Sequence, residues 1–150
     1  MPLTVQEILD DKAPKGARIH AVAPGAPVRE AVALMVREDI GSVLVMEGDE
    51  LSGLVTLREI VRGLDSLGGR LLETPVREVM DAKPAAVRPE DSADTLRTTM
   101  TDRHVSHVPV VKEGALVGIV SFHDIARSAI KDVAFENKLL KQYIKNWPAS

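Results

Sequence analysis

The sequence predicts a mixed α/β fold of the α+β type, in which two tandem β-α-β-β-α repeats are related by a pseudo-twofold axis. The first observation is an internal repeat: Gly-Leu-Val-Thr at 53–56 aligns with Gly-Ile-Val-Ser at 118–121, an offset of 118 − 53 = 65. Apolar positions then match over roughly forty residues without an insertion, which chance seldom gives. The second is size, because 150 residues with 45% hydrophobic content can bury one shared core. The third is the order of strand and helix patterns within each copy.

The spacing of apolar residues predicts the first strand and the first helix of each copy. Short strands are predicted at 19–22 in copy one and at 85–87 in copy two. An amphipathic helix follows each strand. Pro27 occupies its predicted N1 position in copy one, and Asp91 or Ser92 is its predicted N-cap in copy two.

A hairpin and a second helix complete each copy. Polar turns around Gly48 and Gly114 separate two strands in each copy, predicted at 42–46, 51–57, 108–111 and 115–122. The second helices are predicted to begin at about Arg58 and His123. One small sheet covered on one face buries too little to stand alone, so the two copies are expected to pair.

Two lead-ins and a tail lie outside the repeat. The pattern Val-x-Glu-Ile-Leu at 5–9 resembles Val-x-Glu-Val-Met at 76–80, which predicts a short helical lead-in before each copy. Gly-Gly at 68–69 predicts a linker between the copies, and apolar spacing over 132–144 predicts a C-terminal helix. The predicted division is a first repeat with its lead-in at 1–67, a second repeat at 68–131 with a lead-in helix near 75–80, and a helical tail at 132–150.

The composition argues against several functions. A net charge of −3 and 3% aromatic residues provide neither a basic field nor stacking platforms for nucleic acid. The absence of cysteine excludes disulfides, thiolate catalysis and cysteine-ligated zinc. The first residues lack the regions of a signal peptide, and no stretch has the apolar length of a membrane span. We therefore expect a cytoplasmic protein that neither binds nucleic acid nor inserts into membranes.

The strongest candidates for chemistry are two equivalent positions where a strand meets a helix. Thr56 is followed three residues later by Glu59, and Ser121 by Asp124. One interpretation is a capping box, in which hydroxyl and carboxylate satisfy backbone N–H groups. The other is a ligand site, because a helix N-terminus attracts phosphate and a nearby carboxylate can accept both ribose hydroxyls. The two interpretations do not exclude each other.

Metal binding and catalysis are less favoured by the spacing. His104 and His107 lie at the start of a strand, where alternation directs their side chains apart, so no metal site is predicted. Ser121, His123 and Asp124 fall within one turn, which does not provide the nucleophile, base and orienting group of a triad. Neither catalysis nor a required cofactor is expected.

The doubled unit, the two Gly-h-h-Ser/Thr-x-x-acid motifs, the strand His-Val-Pro-Val-Val at 107–111 and the lead-in at 76–80 resemble a pair of CBS domains, the Bateman module, over nearly the whole chain. With its C-terminal tail, the sequence is most similar to stand-alone bacterial two-CBS proteins. The resemblance implies a regulatory module rather than an enzyme. It would bind an adenosyl ligand of the AMP, ADP, ATP, NAD or S-adenosylmethionine class between the repeats and signal to an unidentified effector protein. It also implies a homodimer formed through helices.

The resemblance further implies two sites, each joining the strand–helix motif of one copy to the strand starts of the other. Site one would comprise His20, Ala21, Gly41, Ser42, Ile119, Ser121, His123 and Asp124. In it, Asp124 would hold the ribose hydroxyls and Ser121 would reach the ribose or phosphate. Site two would comprise Leu54, Thr56, Arg58, Glu59, Lys83, Ala85, Ser106 and His107.

Site two departs from the family pattern, because Glu59 replaces the usual aspartate and its extra methylene displaces the carboxylate. Arg58, Lys83 and His107 would nevertheless supply cationic groups for a phosphate. A second function class therefore stays open, namely a protein-interaction or structural dimerisation module whose ligand site is vestigial. Ser121 and Asp124 favour the sensor, and Glu59 keeps the second class open.

Overall fold

A computed structural model of the chain describes residues 3–12 and 19–128. The helices are α1 (Val5–Lys12), α2 (Val28–Glu38), α3 (Leu57–Leu67), α4 (Ala93–Arg103) and α5 (122–128 in the described part), and 3-10 helices span Gly68–Glu73 and Val76–Glu78. The strands are β1 (Ala21–Val22), β2 (Ser42–Glu47), β3 (Glu50–Thr56), β4 (His107–Lys112) and β5 (Ala115–Ser121). This is the predicted α+β arrangement of two repeats. The helix predicted at 132–144 lies outside the described residues.

Copy one contains a three-stranded sheet in the order β1-β2-β3. β1 pairs in parallel with β2, with Val22 opposite Val45, and β2 pairs antiparallel with β3. The parallel pair requires a crossover, which α2 provides. β1 is confined to Ala21–Val22, shorter than the predicted 19–22. Gly48, with a φ of 61°, supplies the left-handed conformation of the β2–β3 turn.

Copy two contains the matching β4-β5 hairpin, but its first strand is almost absent. Of the predicted strand at 85–87, only Val87 pairs, as a parallel bridge to Val110. In copy one the Leu44 N–H of β2 donates to the His20 carbonyl at 3.0 Å, but the equivalent residue of β4 is Pro109, which has no N–H to donate to Ala85. The prediction of a full strand here is therefore wrong, although Val87 occupies the equivalent place beside the hairpin.

The first helix of each copy begins with a defined cap. Ser92 is the N-cap of α4, and its Oγ accepts a hydrogen bond from the Thr95 N–H at 3.1 Å. Pro27 is the N-cap of α2 rather than its predicted N1 residue, because its ψ of 151° is extended. The helical conformation therefore starts one residue later, at Val28.

The lead-in segments pack on the opposite copy rather than on their own. Val5, Ile8 and Leu9 of α1 are buried in the core of copy two. Leu71 and Val76, from the two 3-10 helices, are buried in the core of copy one. Each core is thus completed by a segment that precedes the other repeat in the chain.

Equivalent backbone hydrogen bonds hold both lead-ins. The Val5 N–H donates to the Asp91 carbonyl at 2.8 Å, and the Val76 N–H donates to the Ala26 carbonyl at 2.8 Å. A return bond from the first residue of α4 or α2 completes each contact, at 2.7 and 2.8 Å respectively. The pseudo-twofold relation therefore extends to the segments outside the repeat.

The segment predicted as a linker at 68–69 connects α3 to the second lead-in as ordered structure rather than as an irregular loop. These glycines begin the 3-10 helix Gly68–Glu73, whose Leu71 is 1% exposed. Gly63 of α3 allows this packing, since a β-carbon there would lie 2.5 Å from Leu71 Cδ1. The lead-in predicted near 75–80 is helical only as the 3-10 turn Val76–Glu78.

Candidate functional site

A cavity of about 340 Å³ opens between the copies at the N-terminus of α3. Its size lies within the range of about 300–1,000 Å³ typical of small-molecule sites. Its walls include residues 56–59, here called the α3 corner, and residues 105–107 before and at the start of β4. The equivalent residues 121–124 of copy two are called the α5 corner.

The α3 corner is built around a capping box. Glu59 Oε1 accepts hydrogen bonds from the Thr56 N–H at 2.7 Å and from the Thr56 hydroxyl at 2.6 Å. Thr56 Oγ1 in turn accepts from the Arg58 N–H at 3.2 Å. These bonds confirm the capping interpretation at this corner. They hold the carboxylate of Glu59 against the cavity wall.

The second carboxylate oxygen of Glu59, Oε2, is available to contact a ligand. Glu59 is 9% exposed, and among the described residues only its Oε1 atom has a hydrogen-bond partner. No buried side-chain oxygen or nitrogen in that part of the chain lacks a partner, so Oε2 must be accessible to solvent. An accessible carboxylate oxygen at a helix N-terminus can accept a hydrogen bond from a ligand hydroxyl.

The opposite wall joins the two copies at a glycine. A β-carbon on Gly41, just before β2, would lie 3.3 Å from the Cε1 atom of His107 on β4. The His107 ring is oriented by Ser106, whose Oγ lies 3.0 Å from Nδ1. Gly41 therefore permits a close approach between the starts of the two equivalent strands, beside the cavity.

Three arginines are among the residues that line the cavity. Arg58 and Arg62 come from successive turns of α3, and Arg103 comes from the last turn of α4. Arg103 Nη2 donates to the Lys83 carbonyl at 3.4 Å. Asp81 also lines the cavity, and its Oδ1 accepts from the Lys83 N–H at 3.0 Å. Guanidinium groups in such an arrangement suit phosphate or carboxylate groups.

The α5 corner repeats the capping geometry with a more enclosed acid. Asp124 is 4% exposed, and its Oδ2 accepts from the Ser121 N–H at 2.8 Å. Ser121 Oγ accepts from the Asp124 N–H at 3.2 Å. Arg127 Nη2 lies 3.4 Å from Asp124 Oδ1. Both carboxylate oxygens are therefore engaged within the protein, unlike those of Glu59.

The structure brings most residues of the predicted site two together. Six of them line the cavity: Leu54, Thr56, Arg58, Glu59, Ser106 and His107. Lys83 and Ala85 do not line it, although the Lys83 backbone bonds to Arg103 and Asp81, which do.

The residues of the predicted site one are placed as follows. Gly41 lines the cavity beside the α3 corner. The His20 carbonyl accepts from the Leu44 N–H at 3.0 Å, and the exposed Ala21 begins β1. Ser42 is buried opposite Thr56. The remaining residues are near the α5 corner: half-buried Ile119 on β5, capping Ser121 and Asp124, and exposed His123 on α5.

Seven lining residues were absent from the prediction: Leu57, Arg62, Val79, Met80, Asp81, Arg103 and Val105. Arg62 had a usable signal, because it lies four residues after Arg58 and shares its helix face. Arg103 and Asp81 had none, since their positions depend on how α4 and the second lead-in pack.

Within residues 3–12 and 19–128, no three histidine or acidic side chains are grouped as metal ligands, and no helix has the length and apolar character needed to cross a bilayer. Exposed His104 adopts the left-handed conformation at the end of α4, whereas half-buried His107 lies on β4.

The sequence matches a known domain family. The CBS-domain family model matches residues 16–66 and 76–131. The chain belongs to the CBS-domain family. Among CBS proteins, it is 31% identical over 109 residues to YhcV of Bacillus subtilis, covering 73% of this chain and 77% of that protein. It is 29% identical over 123 residues to the mitochondrial protein CBSX3 of Arabidopsis thaliana, covering 79% of this chain but 60% of the relative.

Solved CBS structures share this fold. The CBS protein ATU1752 of Agrobacterium tumefaciens superposes with a TM-score of 0.79 at 28% identity, covering 86% of this chain and 95% of that one. PAE2072 of Pyrobaculum aerophilum, solved with AMP, gives 0.73 at 21% identity, covering 89% and 99%. The CBS pair of MJ0100, solved with 5-methylthioadenosine and S-adenosyl-L-methionine, gives 0.75 at 20% identity, covering 88% and 99%. These matches confirm the predicted CBS-pair architecture.

Proposed function

We propose that the chain is a regulatory module that binds an adenosine-containing ligand between its two CBS repeats and signals to an effector protein. The observation that carries this proposal is the cavity at the α3 corner, which combines an accessible carboxylate oxygen, a helix N-terminus and arginine side chains. A ribose phosphate presents the complementary groups, namely two hydroxyls and an anion.

Each part of the cavity has a role in this proposal. Glu59 would accept the ribose hydroxyls through Oε2, because Oε1 is held by Thr56. Arg58 and the N-terminus of α3 would hold a phosphate. Gly41 and His107 would border the adenine, since their close approach leaves a narrow edge in the wall.

The complexes of two structural relatives support the choice of ligand class. PAE2072 holds AMP, and the MJ0100 pair holds 5-methylthioadenosine and S-adenosyl-L-methionine. All three molecules contain adenosine, whereas their groups beyond the ribose differ in charge. We therefore retain AMP, ADP, ATP, NAD and S-adenosylmethionine as candidate ligands of this chain.

The site predicted at the α5 corner remains a proposal of lower priority. Its carboxylate, Asp124, would have to release Arg127 or its capping contact before it could bind both ribose hydroxyls. We propose that the α3 corner binds first, which reverses the ranking that family resemblance suggests.

We further propose that the chain acts as a cytoplasmic homodimer. Leu57, Val61 and Leu64 lie on one face of α3 and are 60%, 64% and 54% exposed. Phe122, the equivalent of Leu57 at an offset of 65, is 60% exposed. Apolar residues grouped in this way on a helix face favour association with a second copy.

The alternative is an interaction or structural dimerisation module with a vestigial ligand site. The observation that favours it is that Glu59 and Asp124 both serve as caps. A structural role alone would account for an acid at each position.

Calorimetric titration separates the two functions. Wild-type protein is titrated with AMP, ADP, ATP, NAD and S-adenosylmethionine, and the titration is repeated on Glu59→Gln and Asp124→Asn. Glutamine can still serve in a capping box, so Glu59→Gln removes the charge while largely keeping the helix cap. Micromolar binding that is lost in Glu59→Gln and retained in Asp124→Asn supports the sensor at the α3 corner. If no adenosyl compound binds, the sensor proposal fails and the interaction module takes its place.

A further inference from the structure

Three arginines reach the cavity from two different helices. Arg58 and Arg62 are four positions apart on α3, so their side chains share one face of that helix. Arg103 approaches from the end of α4, in the other copy. Like charges four residues apart on a helix repel each other. An anion bound between these side chains would relieve that repulsion.

The pseudo-twofold relation supplies an internal comparison for this cluster. At an offset of 65, the equivalents of Arg58, Arg62 and Arg103 are His123, Arg127 and Glu38. Arg127 is directed at Asp124, and Glu38 is paired with Arg37. The α5 corner thus has one arginine already engaged and an acid in place of the third. At these three equivalent positions, therefore, the cavity beside the α3 corner has three arginines and the α5 corner has one.

Arg58, Arg62 and Arg103 form few other side-chain interactions in the described part of the chain. In the part of the chain that the structure describes, neither Arg58 nor Arg62 forms a side-chain ion pair, and the side chain of Arg103 bonds only to the Lys83 carbonyl. The acids of the same wall are each engaged by a backbone N–H: Glu59 by that of Thr56 and Asp81 by that of Lys83. Neither acid forms an ion pair with these guanidinium groups among the described residues, and three arginines against two acids leave the cavity lining with a net positive charge.

We propose that Arg58, Arg62 and Arg103 form a phosphate-recognition cluster that makes the α3 corner select adenosine ligands with a polyphosphate chain over neutral or cationic ones. This inference rests on the proposed function and adds the ligand class to it. Arg58 and the α3 N-terminus hold the phosphate next to the ribose. Arg62 and Arg103, contributed by different copies, hold the phosphates further along the chain, so a polyphosphate links the two repeats.

The test compares ligands that share adenosine and differ in charge. Wild-type protein is titrated calorimetrically with adenosine, AMP, ADP, ATP and S-adenosylmethionine at one ionic strength. Affinity is expected to rise with phosphate number, by at least tenfold from adenosine to ATP, because each guanidinium–phosphate contact is charge-assisted. S-adenosylmethionine, whose sulfonium is positive, is expected to bind no better than adenosine.

Arg103→Gln tests the residue that joins the copies. It is expected to weaken ATP binding about tenfold and to leave adenosine binding unchanged. Arg97→Gln is the matched control, since Arg97 lies on the same helix, outside the cavity, paired with Asp94. It is expected to change neither affinity. Thermal unfolding of both variants verifies that they are folded.

The outcomes separate this inference from the proposed function. Equal affinities for adenosine and ATP would overturn the phosphate cluster while leaving adenosine recognition standing. A preference for ATP that survives Arg103→Gln would overturn the assignment of Arg103. Failure of every adenosine compound to bind would overturn the proposed function itself.

Discussion

A β-carbon on Gly53 would lie 2.5 Å from the Sδ atom of Met80. Gly53 is on β3, and Met80 belongs to the lead-in of the second repeat, which is held there by hydrogen bonds of 3.0 and 2.9 Å between Leu54 and Asp81. The equivalent pair in copy two is Gly118 and Leu9, where the nearest side-chain atom would lie 3.2 Å away. A glycine in the last strand of each repeat thus receives the lead-in of the other.

Gly53→Ala is predicted to destabilise the protein by about 1–3 kcal/mol, the usual cost of overpacking a filled site. The new methyl group would also meet the Asp81 carbonyl at 2.7 Å, and a backbone atom held on both sides moves little. Gly118→Ala is the matched control and is predicted to cost less, because it meets only the flexible end of Leu9. Urea denaturation of both variants measures the difference. Equal losses of stability would contradict the close packing of Met80 on β3.

Thr56→Ala is predicted to lower the free energy of unfolding by about 1 kcal/mol, the typical value of an N-cap. The change removes the acceptor for the Arg58 N–H and one donor to Glu59. Thr98→Ala, on the exposed face of α4, serves as the control and should stay within about 0.5 kcal/mol of wild type. If the two threonine variants have the same denaturation midpoint, the capping box at the α3 corner does not contribute to the free energy of unfolding.

Asp39→Gly is predicted to raise stability by about 0.5–1 kcal/mol. Asp39 ends α2 with a φ of 53°, a left-handed conformation that glycine adopts without steric cost. Its carboxylate also stands at the negative end of the helix dipole. Asp39→Ala removes the charge and keeps the steric cost, so it separates the two effects. A melting temperature for Asp39→Gly at or below that of wild type would show that the turn tolerates aspartate fully.

Val61→Arg is predicted to convert the proposed homodimer to a monomer, because it places a charge in the centre of the exposed apolar face of α3. Val36→Arg, at a site on α2 that is 76% exposed, is the control and should leave the dimer intact. Sedimentation velocity at micromolar concentration distinguishes these states. A wild-type monomer, or a dimer unaffected by Val61→Arg, would exclude this face as the interface.

Much of the fold could be predicted because the same pattern of apolar and turn residues occurs twice in the sequence. The offset of 65 located both hairpins and both capping motifs. The strand predicted at 85–87 is reduced to Val87, because Pro109 on the neighbouring strand lacks the N–H that its equivalent in copy one, Leu44, donates to His20. The exchange of lead-ins was not predictable, since similarity between 5–9 and 76–80 establishes equivalence but not which core each enters.

The candidate site was predictable only in part for a related reason. Thr56 and Glu59 are close in sequence, so their motif is visible without a structure. Asp81 and Arg103 reach the cavity from a lead-in and from a helix end, and no local pattern distinguishes them from other surface charges. The greater enclosure of Asp124 was not predictable either. It depends on Arg127, whose Nη2 atom engages Asp124 Oδ1 in the folded chain.

Because each lead-in is buried in the core of the other repeat, we expect the two repeats to unfold as one cooperative unit. If α1 detaches, Val5 and Ile8 leave the core of the second repeat, and the first repeat depends in the same way on Leu71 and Val76. A free single repeat would need another molecule to supply its missing segment. Covalent tandem duplication supplies that segment at an effective concentration on the order of millimolar. Lengthening the chain between the duplicated units would lower that concentration, so it is expected to weaken both cores together.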